Sequence, residues 1–280
     1  MFKHLIAATL VFTATIAAAE DRWLSIPETP AMPKAATSGT IPVNGIEMYH
    51  ATYGDASETP ILLIHGGLAH ADIWAEQVKD LMTDFKVIVA DTRGHGRSSN
   101  DGSAYSYDLL ASDYLALLDQ IGVDKVHLVG WSDGANIGYA ISQSHPERLA
   151  SHFAHAGNIT LDGIDPSVEN NAVFRTYVGM MASDYAQMSP VPEGFDDFLA
   201  GVVEMWSTSK PGGAEALKSV TVPTLVVQSE FDEAILMDHS KMIAGIMPAA
   251  ELRVLENVSH FASFQAPGEY TNAIRQFIAQ

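Results

Sequence analysis

The stretch from His127 to Ala140, HLVGWSDGANIGYA, decides how the rest of the chain is read. An apolar strand-like run ends at Trp131, a helical pattern begins near Asp133, and Ser132 stands between them inside Gly130-Trp131-Ser132-Asp133-Gly134. A serine bracketed by two glycines at a strand-to-helix turn fits the G-x-S-x-G pattern, whose strained turn lifts a hydroxyl above the end of a sheet. The helix that follows aims its free amides and the positive end of its dipole at the same spot. The pattern predicts a nucleophile at Ser132; the plainer alternative is a turn that only starts a helix.

A serine hydroxyl is inert at neutral pH without a base, so the prediction demands a histidine and an acid further along. Both occur in that order, each just past an apolar run: Asp232 in VPTLVVQSEFDEAI (222–235) and His260 in LENVSHFASF (255–264). His260 is the expected general base and Asp232 the residue that orients it. Glu230 and Glu233 flank Asp232 and are the alternative acids. Acyl transfer also needs donors for a tetrahedral oxyanion. LLIHGGLAHADIW (62–74) places His65-Gly66-Gly67-Leu68 after another apolar run, so the expected donors are the backbone amides of Asp133 and Gly67, with Leu68 as the alternative to Gly67. His65 is read as a brace for that loop.

Around these motifs, apolar runs alternate with helical patterns: PILLIHGG then 71–82, FKVIVADTRG then 107–121, KVHLVGWS then 134–144, a run near 149–156, and two more at VPTLVVQSE and AELRVLEN. Near-continuous apolar strands separated by helices imply a mostly parallel central sheet covered on both faces, an α/β fold. Asn44-Gly45 between two strand-like runs predicts a hairpin at its start. The alternation breaks over 157–213, where four prolines (Pro166, Pro190, Pro192, Pro211) punctuate a Met- and aromatic-rich stretch. This is expected to be a helical lid over the carboxyl edge of the sheet, where ligands bind in open α/β folds. Trp131, Met180, Met181 and Trp206 are the candidate pocket residues. The expected organisation is a leader over 1–19, an extended arm over 20–39 with Pro27, Pro30 and Pro33, core over 40–156, lid over 157–213, and core again over 214–280.

Composition sets bounds. Of 280 residues, 47% are hydrophobic, ample for a core, and Asp+Glu at 34 against Lys+Arg at 15 give a net charge of −19. Such acidity disfavours nucleic acid and anionic membranes as partners. With no cysteine there is neither disulfide nor thiol chemistry. No metal-ligand spacing and no phosphate loop occurs, so no cofactor or metal is expected. Lys3, the apolar run 5–16 and Ala17-Ala18-Ala19 read as a signal peptide cleaved near Ala19, hence a periplasmic or secreted protein without stable membrane association. The apolar run is shorter than the ~20 residues of a membrane span.

The elbow, the HGG loop, the Ser-Asp-His order and DTRGHGRS (91–98) together resemble the α/β-hydrolase superfamily, in its group with a short HGG loop and a lid between the sixth and seventh core strands. The resemblance runs from about Thr40 to Phe277. It implies that Arg93 and His95 brace the site and do not react. The GWSDG elbow is also similar to that of valacyclovir-hydrolase-like esterases, which implies that the Asp133 carboxylate is placed to meet an ammonium group; an acid in a helix's first turn is favoured by the dipole in any case.

The expected activity is hydrolysis of small to medium, largely apolar carboxylic esters through an acyl-enzyme. A lactonase, a carbon–carbon bond hydrolase and a cofactor-free perhydrolase would use the same residues, and a ligand-binding protein with a vestigial triad is the alternative outside catalysis. Haloalkane dehalogenases and epoxide hydrolases would carry an aspartate at position 132.

Overall fold

Asn44 and Gly45, at φ 42° and 85°, turn the chain between β1 (Thr37–Val43) and β2 (Ile46–Tyr53), the hairpin that their sequence predicts. The computed structural model describes residues 21–280 except 57, 210 and 212, so the leader read in residues 1–19 lies outside the described residues. β1 begins three residues before the expected core boundary at 40.

Six further strands follow: β3 (Ile61–Ile64), β4 (Val87–Ala90), β5 (Val126–Trp131), β6 (Leu149–His155), β7 (Thr224–Ser229) and β8 (Ala250–Leu255). They form one sheet in the order β1-β2-β4-β3-β5-β6-β7-β8, antiparallel at β1, β2 and β4 and parallel from there on. Every residue of β3 and β4 is buried, as strands covered on both faces require.

The helices are α1 (Ala75–Leu81), α2 (Tyr107–Gln120), α3 (Asp133–Ser144), α4 (Ala172–Met188), α5 (Phe195–Thr208), α6 (Gly213–Leu217), α7 (Met237–Ile246), α8 (Ala262–Gln265) and α9 (Pro267–Ile278). Successive strand residues point to opposite faces. On β6, Phe153 meets Tyr270 and Phe277 of α9, while His152 meets Tyr139 of α3, which puts these helices on opposite sides of the sheet. α1 packs with α9, and α2 with α3. The helical pattern over 71–82 divides into a 3-10 turn (Ala71–Trp74) and α1, because the first turn is held by the buried Asp91 carboxylate, which accepts from the Ala71 amide at 2.7 Å.

Between β6 and β7 the chain leaves the sheet. α4, capped by the Asn171 side chain, and α5 form the lid, and α6 returns to pack on α3 and α7. Among the described residues no helix is long and apolar enough to cross a membrane.

Candidate active site

Ser132 adopts φ 55° and ψ −117°, a region that costs a non-glycine residue about 1–3 kcal/mol. Its two glycines explain how the turn closes. A Cβ on Gly130 would run into the backbone of Gly134, and one on Gly134 into the carbonyl of Ile64 in β3, so strand and helix cross only because both positions are bare. Gly134→Ala is therefore expected to lower stability by about 3 kcal/mol, read as a drop in denaturant midpoint. An unchanged midpoint would remove this account of the elbow. The amide of Ser132 donates to the His155 carbonyl at 2.8 Å, tying the turn to β6.

Ser132, Asp232 and His260 follow β5, β7 and β8, three parallel strands, so all three emerge at the same end of the sheet. His260 Nδ1 lies 3.0 Å from Asp232 Oδ1, and that oxygen also accepts from the amides of Ala234 (2.9 Å) and Ile235 (2.8 Å). The bond places the imidazole proton at Nδ1 and leaves Nε2 as the basic nitrogen. Burial disfavours the charged form of both groups, yet the attraction between them prevails: the Asp232 pKa is lowered and that of His260 raised. Glu233 accepts from the His260 amide at 3.0 Å and Glu230 from the Asn257 amide at 2.8 Å, so both alternative acids bind backbone of the His260 loop.

The HGG loop lies against the serine: a Cβ on Gly66 would stand 3.1 Å from that of Ser132. Asp133 is the first residue of α3, so its amide has no partner within the helix. Leu68 is buried at φ 67°. His65 braces this loop, with Nδ1 at 2.7 Å from the Gly66 carbonyl and Nε2 accepting from the Thr92 amide at 3.0 Å. Arg93 is wholly buried and donates to both oxygens of Asp113 at 2.7 and 2.8 Å, and His95 Nδ1 meets the Arg93 carbonyl at 2.9 Å.

The lid is bonded to the same two elements. Tyr177 of α4 donates to the Gly67 carbonyl at 2.6 Å, and Trp206 Nε1 of α5 donates to Asp133 Oδ2 at 2.8 Å. Asp133 Oδ1 accepts from the Tyr107 hydroxyl at 2.8 Å. Both carboxylate oxygens thus have neutral donors, so the group ties the lid to α3 as well as lining the cavity. Burial raises its pKa, against the opposing effect of those donors.

Ser132 and His260 line one cavity of about 250 Å³, with Asp133, Phe174, Val203, Trp206 and Ile235 among its walls. Trp206 is where the sequence placed it, but three other pocket expectations are corrected. Trp131 points below the site, donating from Nε1 to the His260 carbonyl at 2.8 Å, because side chains alternate along β5. Met181 is buried with Tyr177 and Tyr185 on the inner stripe of α4, and Met180 packs against that core; neither lines the cavity. Ile164, Val168 and Asn158 do line it and were missed, since the irregular chain after β6 has no periodicity to betray an inward side. Ala234 and Ile235 had a usable signal: an apolar pair two residues past the acid.

Residues 59–196 match the family described as alpha/beta hydrolase fold. The chain is 24% identical over 263 residues to 3-oxoadipate enol-lactonase 2 of Acinetobacter baylyi, covering 87% of this chain and 97% of that protein. It is 28% identical over 272 residues to rhodomycin D methylesterase DauP of Streptomyces sp. strain C5, covering 77% and 89%. Among solved structures it is similar to Est816, described as an N-acyl homoserine lactone degrading enzyme, with a TM-score of 0.68 and 28% identity over 85% of this chain and 100% of that one. The chain belongs to the α/β-hydrolase superfamily. It is a hydrolase, in keeping with the lactonase and methylesterase among its relatives.

Proposed function

We propose that the protein hydrolyses small to medium, uncharged carboxylic esters through an acyl-enzyme on Ser132. The observation that carries this reading is the 3.0 Å bond between Asp232 and His260, with His260 and the strained Ser132 facing one cavity. Ser132 Oγ attacks the ester carbonyl and gives its proton to His260 Nε2, while Asp232 holds the opposite nitrogen and stabilises the imidazolium. The amides of Asp133 and Gly67 receive the oxyanion, with Leu68 the alternative to Gly67. The protonated His260 releases the alcohol, then activates the water that frees the acid. The leader-like first 19 residues support a periplasmic or secreted location.

The cavity lining argues against anionic substrates. It carries the carboxylates of Asp133 and Glu169 and neither lysine nor arginine, so a substrate carboxylate would enter without a cationic partner. Lactones remain a second reading on the same residues, favoured by the similarity to Est816.

The test uses a fluorophosphonate label mapped by mass spectrometry, beside hydrolysis of p-nitrophenyl butyrate, p-nitrophenyl hemisuccinate and a neutral γ-lactone. Expected are a label on Ser132 and at least a tenfold preference in kcat/KM for the butyrate over the anionic ester, about 1.4 kcal/mol. Preferred turnover of the lactone moves the second reading ahead. Equal turnover of the two esters removes the argument from charge, and absence of label at Ser132 removes the acyl-enzyme.

His260 must be neutral to act as base. Because its pKa is raised, kcat/KM is expected to climb with pH through a midpoint above the ordinary imidazole value of 6.5. A midpoint below that value contradicts the assignment.

A further inference from the structure

The segment 21–36 does more than lead into the sheet. From β1, at one edge, it runs back to the loops that follow β7 and β8 at the other edge. Pro27 and Pro30 carry it past Ile73 before α1 and past Phe264 of α8, an extended course that their fixed φ favours. At its far end it meets the loop of the acid one residue from Asp232, and it reaches the residue before His260 through the side chain of Gln265.

Trp23 stacks on Phe231, the neighbour of Asp232, with ring centroids 4.7 Å apart and planes inclined by 22°. The carbonyl of Ser25 accepts from Gln265 Nε2 at 2.8 Å. The same Gln265 side chain accepts, through Oε1, from the amide of Ser259, the neighbour of His260, at 2.7 Å. Arg22 closes the end of the segment with a 2.8 Å ion pair to Glu269 of α9. The two loops are also joined to each other, since the Phe231 amide donates to the Val258 carbonyl at 3.0 Å.

We propose that Trp23 and Gln265 are positioning residues for Asp232 and His260, and that the N-terminal segment is a strap fixing the acid and base loops in register. This rests on the acid–base roles assigned under the proposed function. Neither residue touches substrate; each acts through the neighbour of a reacting group. Fixing the acid against the base sustains the imidazolium, so a slack strap shows first in turnover and in the His260 titration, whereas substrate affinity depends on the cavity walls, among which neither Trp23 nor Gln265 stands.

The experiment compares wild type with Trp23→Ala, Trp23→Phe and Gln265→Glu. The glutamate keeps the acceptor for the Ser259 amide and loses the Nε2 donor to the Ser25 carbonyl and to Ser259 Oγ; the serine hydroxyl can turn to donate to the carboxylate, so the strap opens while the His260 loop stays bonded. Leu24→Ala is the control, because Leu24 is exposed between the two strap contacts. Kinetics are read beside the His260 pKa by NMR titration, which reports on the acid–base pair even in a protein that turns over no ester.

Expected are about a tenfold fall in kcat at unchanged KM for Trp23→Ala and Gln265→Glu, a His260 pKa shifted down toward 6.5, and recovery in Trp23→Phe. Wild-type kcat and titration in both variants overturn the proposal, as does an equal loss in Leu24→Ala. If no variant and no wild type turns over ester but the titration shifts as expected, the strap stands and the ester reading falls.

Discussion

Ser132→Ala is expected to lower ester turnover by about 10⁴-fold or more while leaving the fold intact. The size follows from the loss of the only atom positioned to attack, with the oxyanion donors and the base left in place. Alanine at φ 55° bears the same backbone strain as serine, so stability should change little. Ser132 and His260 act as a unit, and their losses are not additive: His260→Ala should cost about as much as Ser132→Ala, and the double variant little more than either. A steady-state comparison on p-nitrophenyl butyrate with active-site titration reads this directly. More than a tenth of wild-type turnover in Ser132→Ala sinks the nucleophile assignment, and fully additive losses argue that the two residues do not share a step.

Acidification should unfold the protein well before its carboxylates are protonated. Burial pushes His65, His152 and His155 down to about 3 and His95 down to about 4, while in the unfolded chain they titrate near 6.5. Between those limits the unfolded chain binds protons that the native one refuses, so stability is complete above pH 6.5 and is lost as pH falls toward 4. At pH 5 each of the four withdraws about 2 kcal/mol, together about 8 kcal/mol, against a typical total of 5–15 kcal/mol. His260, with its raised pKa, works in the opposite direction and offsets part of the loss. Denaturant midpoints at pH 7 and pH 5 measure the effect. His152 is the residue to change, because neither ring nitrogen has a partner in its pocket beside Tyr139. His152→Leu should remove about one proton from the slope, and equal midpoints at the two pH values in the wild type contradict the whole account.

The sheet, its covering helices and the turn at Ser132 were legible because each rests on local chemistry: buried strands need apolar runs, and a crossing of strand and helix needs Gly130 and Gly134. Asp232 and His260 were legible through position, each just beyond a strand. The pocket was not. Trp131 looked like a wall because it adjoins Ser132, yet the alternation of β5 turns it under His260. Met180 and Met181 looked like a roof because methionines are adaptable, but which stripe of α4 faces inward depends on how that helix is docked, and no property of its own residues sets that docking. The arm read only as proline-rich and extended, since the hydrogen bonds that Arg22 and Ser25 make at its far end are to residues more than 200 positions away in sequence.

Asp133 joins two functions that are separate in most descriptions of a lidded enzyme. Its amide opens α3 beside Ser132, and its carboxylate holds Trp206 of the lid. A bulky acyl group that pushes Trp206 aside leaves a buried carboxylate one donor short, at the residue proposed to receive the oxyanion. On the proposed reading the roof is a gauge wired to the catalytic centre, and an oversized substrate is expected to lose speed of reaction as well as ease of entry.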